Sequence, residues 1–164
     1  MAKPTSTIST DSEKRQISWP HLLLGLAGLA VSAYAIHVHN IVAAGGQSAC
    51  GISATVNCDA VIGSKYGVLL GLPLGVWGMA YFALMMLTSI TDPTTPPRIA
   101  VLMRTMVAIA GFVMVLGLAF ISYIIIKVTC PVCMTIHVII TIVFLYSMYE
   151  LWQSRRKSTF SKGN

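Results

Sequence analysis

Four long apolar runs separated by polar connections constrain this chain more than any other feature. They cover residues 19–42, 73–90, 99–126 and 130–152, each close to the roughly 20 residues a helix needs to cross the hydrocarbon core of a bilayer. In lipid, every backbone polar group must find its partner inside the protein. Four segments are too few to close a barrel, so the runs are expected to be helices. Composition agrees. Hydrophobic residues make up 55% of the chain and charged ones 10%, whereas a soluble domain carries about 25% charged residues. The expected fold class is all-α integral membrane: a four-transmembrane-helix bundle with a loop at 45–72 carrying a short helix. The expected divisions are a polar tail at 1–18, the membrane domain at 19–153 and a basic tail at 154–164.

Local signals refine these limits. Trp19 suits an interfacial anchor at the start of the first run. Ala33-Tyr34-Ala35 resembles a signal-peptide cleavage site, but the apolar run continues past it to Ala44, so the segment is expected to be retained as a span. In the loop, Asn57 is a candidate N-cap for a short helix beginning at Cys58, which Gly63 or Gly67 would end. Pro73 fits an early helical position, where its missing N–H costs nothing. Pro93, Pro96 and Pro97 make the connection at 91–97 tight and non-helical. Small residues mark expected helix contacts: Gly25, Gly28 and Ser32; Gly71, Gly75 and Gly78; Gly111 and Gly117.

The net charge of +6 reflects orientation rather than nucleic-acid binding. Lys3, Lys14, Arg15, Arg98, Arg104, Arg155, Arg156, Lys157 and Lys162 fall on one side of a four-span arrangement. Lys65 and Lys127 fall on the other. The excess places both termini in the cytoplasm and makes the 45–72 loop extracytoplasmic. All four cysteines lie in that loop or at the 127–130 junction, on the side where disulfides persist. The membranes with such a face are the bacterial inner membrane and, in a eukaryote, the endoplasmic reticulum membrane.

Cys130 and Cys133 form a C-x-x-C at the mouth of the last run. On a helix, i and i+3 share a face. With Pro131 in the first helical position, Cys130 falls at the N-cap, where free N–H groups and the helix dipole favour a thiolate. Such a thiol is a ready nucleophile and leaving group. Cys133 lies one turn deeper, where a membrane-dissolved ligand can meet it. Cys50 and Cys58, seven residues apart in the loop, stand between a soluble partner and Cys130. A thiol relay from partner to loop pair to C-x-x-C follows. Three other roles fit the same residues: small buried hydrophobes, an inert disulfide, or a zinc site. The wide C-x7-C spacing is unlike the two tight pairs zinc usually takes.

Together these residues resemble the vitamin K epoxide reductase family. The resemblance rests on the Cys50/Cys58 loop pair followed by Ser64-Lys65-Tyr66-Gly67, on Tyr34-Ala35-Ile36-His37-Val38, and on the C-x-x-C opening the fourth run. It covers residues 20–152. It implies a four-helix bundle around a quinone pocket, with Cys130 and Cys133 as the active pair and Cys133 nearest the quinone. Cys50 would exchange with a thioredoxin-fold partner, a DsbA-like protein of the periplasm or lumen, and Cys58 would complete the relay. Ser64 would help place the loop or the quinone site. His137, where animal members carry a tyrosine, would meet the quinone, which is ubiquinone, menaquinone or vitamin K. Residues 71–78 hold no asparagine where animal members have one, so the chain sides with bacterial members that generate disulfides. The partner is expected as a separate protein, since no thioredoxin-like domain is fused. An enzyme reducing vitamin K epoxide with luminal thiols is the alternative activity. A non-catalytic membrane scaffold with structural disulfides or zinc is the alternative from another class.

Among the remaining residues, His37 and Asn40 share a face by their spacing, which would reach the pocket or loop if turned inward, but a role there is not the favoured expectation; His39 is left to interfacial solvation. Trp77, Phe82, Phe112, Phe120 and Phe144 are expected to pack rather than stack on a ligand. Glu150 is expected to pair with the basic tail.

Overall fold

The computed structural model describes residues 16–91 and 97–161. Its helices are α1 (Trp19–Ala43), α2 (Cys58–Ile62), α3 (Leu74–Ser89), α4 (Pro97–Phe120) and α5 (Pro131–Ser161). A π-helical turn, Ile121–Ile126, prolongs α4 and ends at Lys127, which adopts a left-handed conformation. Among the described residues, three stretches are long and apolar enough to cross a membrane: Trp19–Ala43, Arg98–Ile126 and Pro131–Arg156. α3 is apolar but has 16 residues, or roughly 24 Å at the α-helical rise. Two features shorten it. Ahead of it, the apolar residues form a hairpin of β2 (Val68–Leu69) and β3 (Leu72–Pro73), turned through Leu70 and Gly71 at positive φ. Pro73 is therefore the extended N-cap residue of α3, not a residue of its first turn. Beyond it, Ile90–Thr91 (β4) pairs antiparallel with Gln16–Ile17 (β1). The last residues expected in the N-terminal tail are thus part of the fold. The connection expected to be tight is largely outside the described residues, since 92–96 are not among them.

α1 packs most extensively on α3, and α4 on α5; α1 against α5 and α3 against α4 complete the ring. The α1–α3 contact is as close as the small residues suggested. A Cβ on Gly28 would collide with the Phe82 ring, and one on Gly78 would press on Ser32. Gly71 and Gly117 differ. Gly71 turns the hairpin at φ 80°, and nothing lies within 4 Å of a Cβ at either.

The two ends of the bundle differ in chemistry. At one end, the His21 ring bonds to the hydroxyls of Ser18 (2.7 Å) and Ser147 (2.9 Å). Beside it, Arg104 pairs with Glu150 at 3.4 Å. Glu150 is therefore held by a buried arginine one helix away. α5 runs on to Ser161, so part of the expected tail is helical. All four cysteines lie at the other end, where Cys50, Cys58 and Cys130 join Ala35, Val38, Ile62 and Val132 in a buried cluster.

Candidate active site

The loop between α1 and α3 is built to hold a cysteine pair against α5. Asn57 caps α2 as its sequence implies, its side chain accepting from the backbone N–H of Asp59 (2.9 Å) and Ala60 (3.1 Å). The Asp59 carboxylate accepts from the Ser48 N–H (2.9 Å) and hydroxyl (2.5 Å). That hydroxyl accepts in turn from the Cys50 N–H (3.2 Å). Asp59 thus fixes the strand of loop that carries Cys50. Cys50 and Cys58 are disulfide-bonded, with Cα atoms 5.4 Å apart. Cys58 is fully buried, while Cys50 keeps 9% of its surface exposed.

Two backbone bonds stitch this loop to the start of α5. Thr129 N–H donates to the Thr55 carbonyl (2.8 Å), and Asn57 N–H donates to the Thr129 carbonyl (3.0 Å). Cys130 therefore follows directly after a residue paired with the loop. Pro131 opens α5, and the Cys130 carbonyl accepts the first helical bond, from Met134 N–H (2.9 Å). The Cys130 Sγ accepts from the backbone N–H of Cys133 (3.2 Å). Both thiols are free, and Cys130 is 1% exposed. The hydrogen bond from the Cys133 thiol, helped by the N–H groups of Cys133 and Val132, holds the Cys130 thiol below its ordinary pKa. Burial and the Asp59 charge oppose this.

Cys133, half-buried, faces inward. It lines a cavity of about 420 Å³ enclosed by the helices and roofed by the loop. His137, one turn on, lines the same cavity, as the i, i+4 spacing requires. Around them stand mostly apolar residues, Ile62, Leu74, Met114, Val115, Ile136 and Ile140 among them. Its size and wall suit a small, largely apolar ligand.

Ser64 is not part of this wall. Its hydroxyl donates to the Val61 carbonyl (2.7 Å) and accepts from the Tyr66 N–H (3.2 Å), capping the turn Lys65–Gly67. It positions the loop, and through that turn brings Tyr66 and Gly67 into the cavity wall. A Cβ on Gly67 would strike the Ile62 carbonyl, so the turn closes only with glycine.

Of the α1 histidines it is His39, expected at the solvated interface, that reaches the cavity. His37 and Asn40 are exposed, His37 against the Tyr34 ring. His39 lines the cavity, its Nδ1 3.4 Å from the Ile62 carbonyl. The buried series Gly25, Gly28, Ser32, Ala35, Val38 carried the signal: one turn beyond Ala35, that face takes in His39. Among the aromatics, Phe82 is core, Phe112 stacks on Phe144 at 4.3 Å and Phe120 faces outward. Trp77 lines the cavity, its indole N–H donating to the Leu69 carbonyl (3.1 Å). Tyr66, within the Ser64–Gly67 motif, and Tyr81, which no motif marks, line it as well. Among the described residues no group of three or more His, Cys, Asp or Glu is placed to hold a metal ion.

A dithiol at the rim of an apolar helix bundle, next to a second cysteine pair, belongs to the chemistry of membrane thiol–disulfide oxidoreductases, and fold and site together define that class. Residues 19–148 match the Vitamin K epoxide reductase family, and the chain belongs to it. Members of the family sit in membranes, work with thioredoxin-like partners and use quinones as electron acceptors.

Proposed function

We propose that this protein carries electrons from a soluble thioredoxin-fold partner to a quinone, and so supports disulfide formation in an oxidising compartment. The observation that carries the reading is the position of the C-x-x-C. Cys130 is buried with the loop disulfide, and Cys133 opens onto the apolar cavity. One dithiol thus touches both the route to soluble thiols and the space a lipid-soluble acceptor would fill.

In this reading α3 crosses the membrane with the three longer helices. That gives four spans over 19–153, with both tails cytoplasmic and the cysteine end extracytoplasmic. A thiolate of the reduced partner attacks the Cys50 sulfur, the more exposed of the pair, and Cys58 leaves. The partner's second thiol then resolves the mixed disulfide, leaving the partner oxidised and Cys50 and Cys58 as thiols. Cys58 passes the same two electrons to the Cys130–Cys133 disulfide by attack on Cys130, and Cys50 closes the loop disulfide again. The reduced Cys130 and Cys133 then lose two electrons and two protons as their disulfide re-forms. A quinone held in the cavity accepts both and leaves as the quinol. Cys133 and His137 would contact it there, and Ser64 would hold the loop that roofs it.

The test is covalent trapping. In a Cys58→Ser variant the Cys50 thiol cannot be resolved from within. A thioredoxin-fold protein carrying one reactive cysteine, supplied as its mixed disulfide with thionitrobenzoate, should be attacked at that cysteine by the Cys50 thiolate, release thionitrobenzoate and accumulate as a mixed disulfide on Cys50, visible on a non-reducing gel and absent from Cys50→Ser. Equal trapping in both variants would refute the relay.

A further inference from the structure

The cavity contains a hydrogen-bonding group that none of the described residues uses. Tyr81, two turns into α3, lines the cavity, and its hydroxyl is buried without a hydrogen-bond partner. Buried polar groups are nearly always paired, because leaving one unmade forfeits a water contact for nothing. The ring edge meets Phe82 at 5.1 Å, and the phenol tip rests on bare backbone at Gly111 of α4, where a Cβ would collide with it. The sequence thus keeps a phenol where phenylalanine would pack with no polar cost, and keeps a glycine opposite to make room for it. Two other polar groups on the wall are committed elsewhere: Ser122 donates to the Val128 carbonyl and Trp77 to the Leu69 carbonyl.

We propose that the Tyr81 hydroxyl is a ligand-contact group that donates a hydrogen bond to a carbonyl oxygen of the quinone. This rests on the quinone reading above and adds a residue to it. A phenol both donates and accepts, whereas a quinone oxygen only accepts, so the direction of the bond is set. A quinone has carbonyls on opposite edges of its ring. Donors on different helices, Tyr81 on α3 and His137 on α5, would fix its orientation before Cys133. The donor also favours the reduced ligand, because oxygen gains negative charge as electrons arrive.

The experiment uses the full-length protein in detergent, with decylubiquinone and menadione as probes and dithiothreitol as reductant. Quinone affinity is read from quenching of tryptophan fluorescence, and stability from thermal unfolding without ligand. Tyr81→Phe is expected to weaken binding of both probes by about fivefold, the scale of one neutral hydrogen bond. Its ligand-free unfolding temperature should stay level or rise, because an unpaired hydroxyl is removed. Gly111→Ala, which displaces the ring, should weaken binding similarly and add nothing in the Tyr81→Phe background. Affinity unchanged in Tyr81→Phe would overturn the proposal, and so would a fall in ligand-free stability, which would reveal a structural partner. If the wild-type protein neither binds nor reduces either probe, the quinone reading itself falls, an outcome separate from loss in the variant alone.

Discussion

Cys130 occupies the one position in the chain where three local effects converge on a sulfur. It ends a segment paired with the loop, caps α5, and accepts from both the N–H and the thiol of Cys133. The sign of the result follows. A thiol with a lowered pKa becomes thiolate at lower pH than a free cysteine, so its reactivity rises and levels off early. In a Cys50→Ser, Cys58→Ser background, the ultraviolet absorbance of the Cys130 thiolate should appear below the pH range of free cysteine. Adding Cys133→Ala removes the largest of the stabilising hydrogen bonds and should move the titration upward. A titration unmoved by that change would remove the thiol pair from the explanation. The cap was legible in the sequence because Pro131 fixes where the helix starts. The near-complete burial of Cys130 was not, since it depends on a loop 70 residues upstream in the chain folding over it; the bridge runs between Val56 and Thr129. The inward place of His39 was missed for a similar reason. Spacing alone gives the angle between residues on a helix and not which face is turned inward.

At the scale of elements, the α1–α3 contact sets the cavity's geometry, because both helices supply its wall. Gly25, Gly28 and Ser32 were readable as a contact stripe, and each is buried. Nothing in the sequence said what fills the stripe. Phe82 lies over Gly28 and Met86 over Gly25, with no pattern to pair them in advance. Gly28→Val should force the helices apart and cost about 1–3 kcal/mol, the usual range for overpacking. Thermal unfolding in detergent would measure it, and quinone affinity should fall with it as the wall shifts. Substitution at Gly117, where nothing lies within 4 Å of a Cβ, provides the control and should leave both unchanged. The limits of α3 fall within a residue of those expected, 74–89 against 73–90; the hairpin ahead of it was not legible, for a local reason. Val68 to Pro73 reads as apolar and continuous with the run that follows, yet a Leu-Gly turn folds it into a hairpin. Hydropathy does not distinguish a hairpin from the end of a helix.

Across the whole molecule, polarity is divided between two ends. One carries the His21, Arg104 and Glu150 network. The other carries the cysteines, with the cavity reaching inward from them. The four apolar runs made the bundle legible, and charge asymmetry implied the division. The cavity was legible only through the family resemblance, because its wall is assembled from α1, α3, α4, α5 and the loop, none of which carries a cavity motif of its own. The proposed relay joins these parts in one direction: soluble thiol, Cys50 and Cys58, Cys130 and Cys133, quinone. The most direct measurement follows quinone absorbance while a reduced thioredoxin-fold protein is mixed with the full-length protein, and compares wild type with Cys133→Ala. The account predicts equal amounts of quinol and partner disulfide from the wild type. It predicts no quinol from Cys133→Ala, with the mixed disulfide on Cys50 still forming. Wild-type quinol production by Cys133→Ala would contradict it.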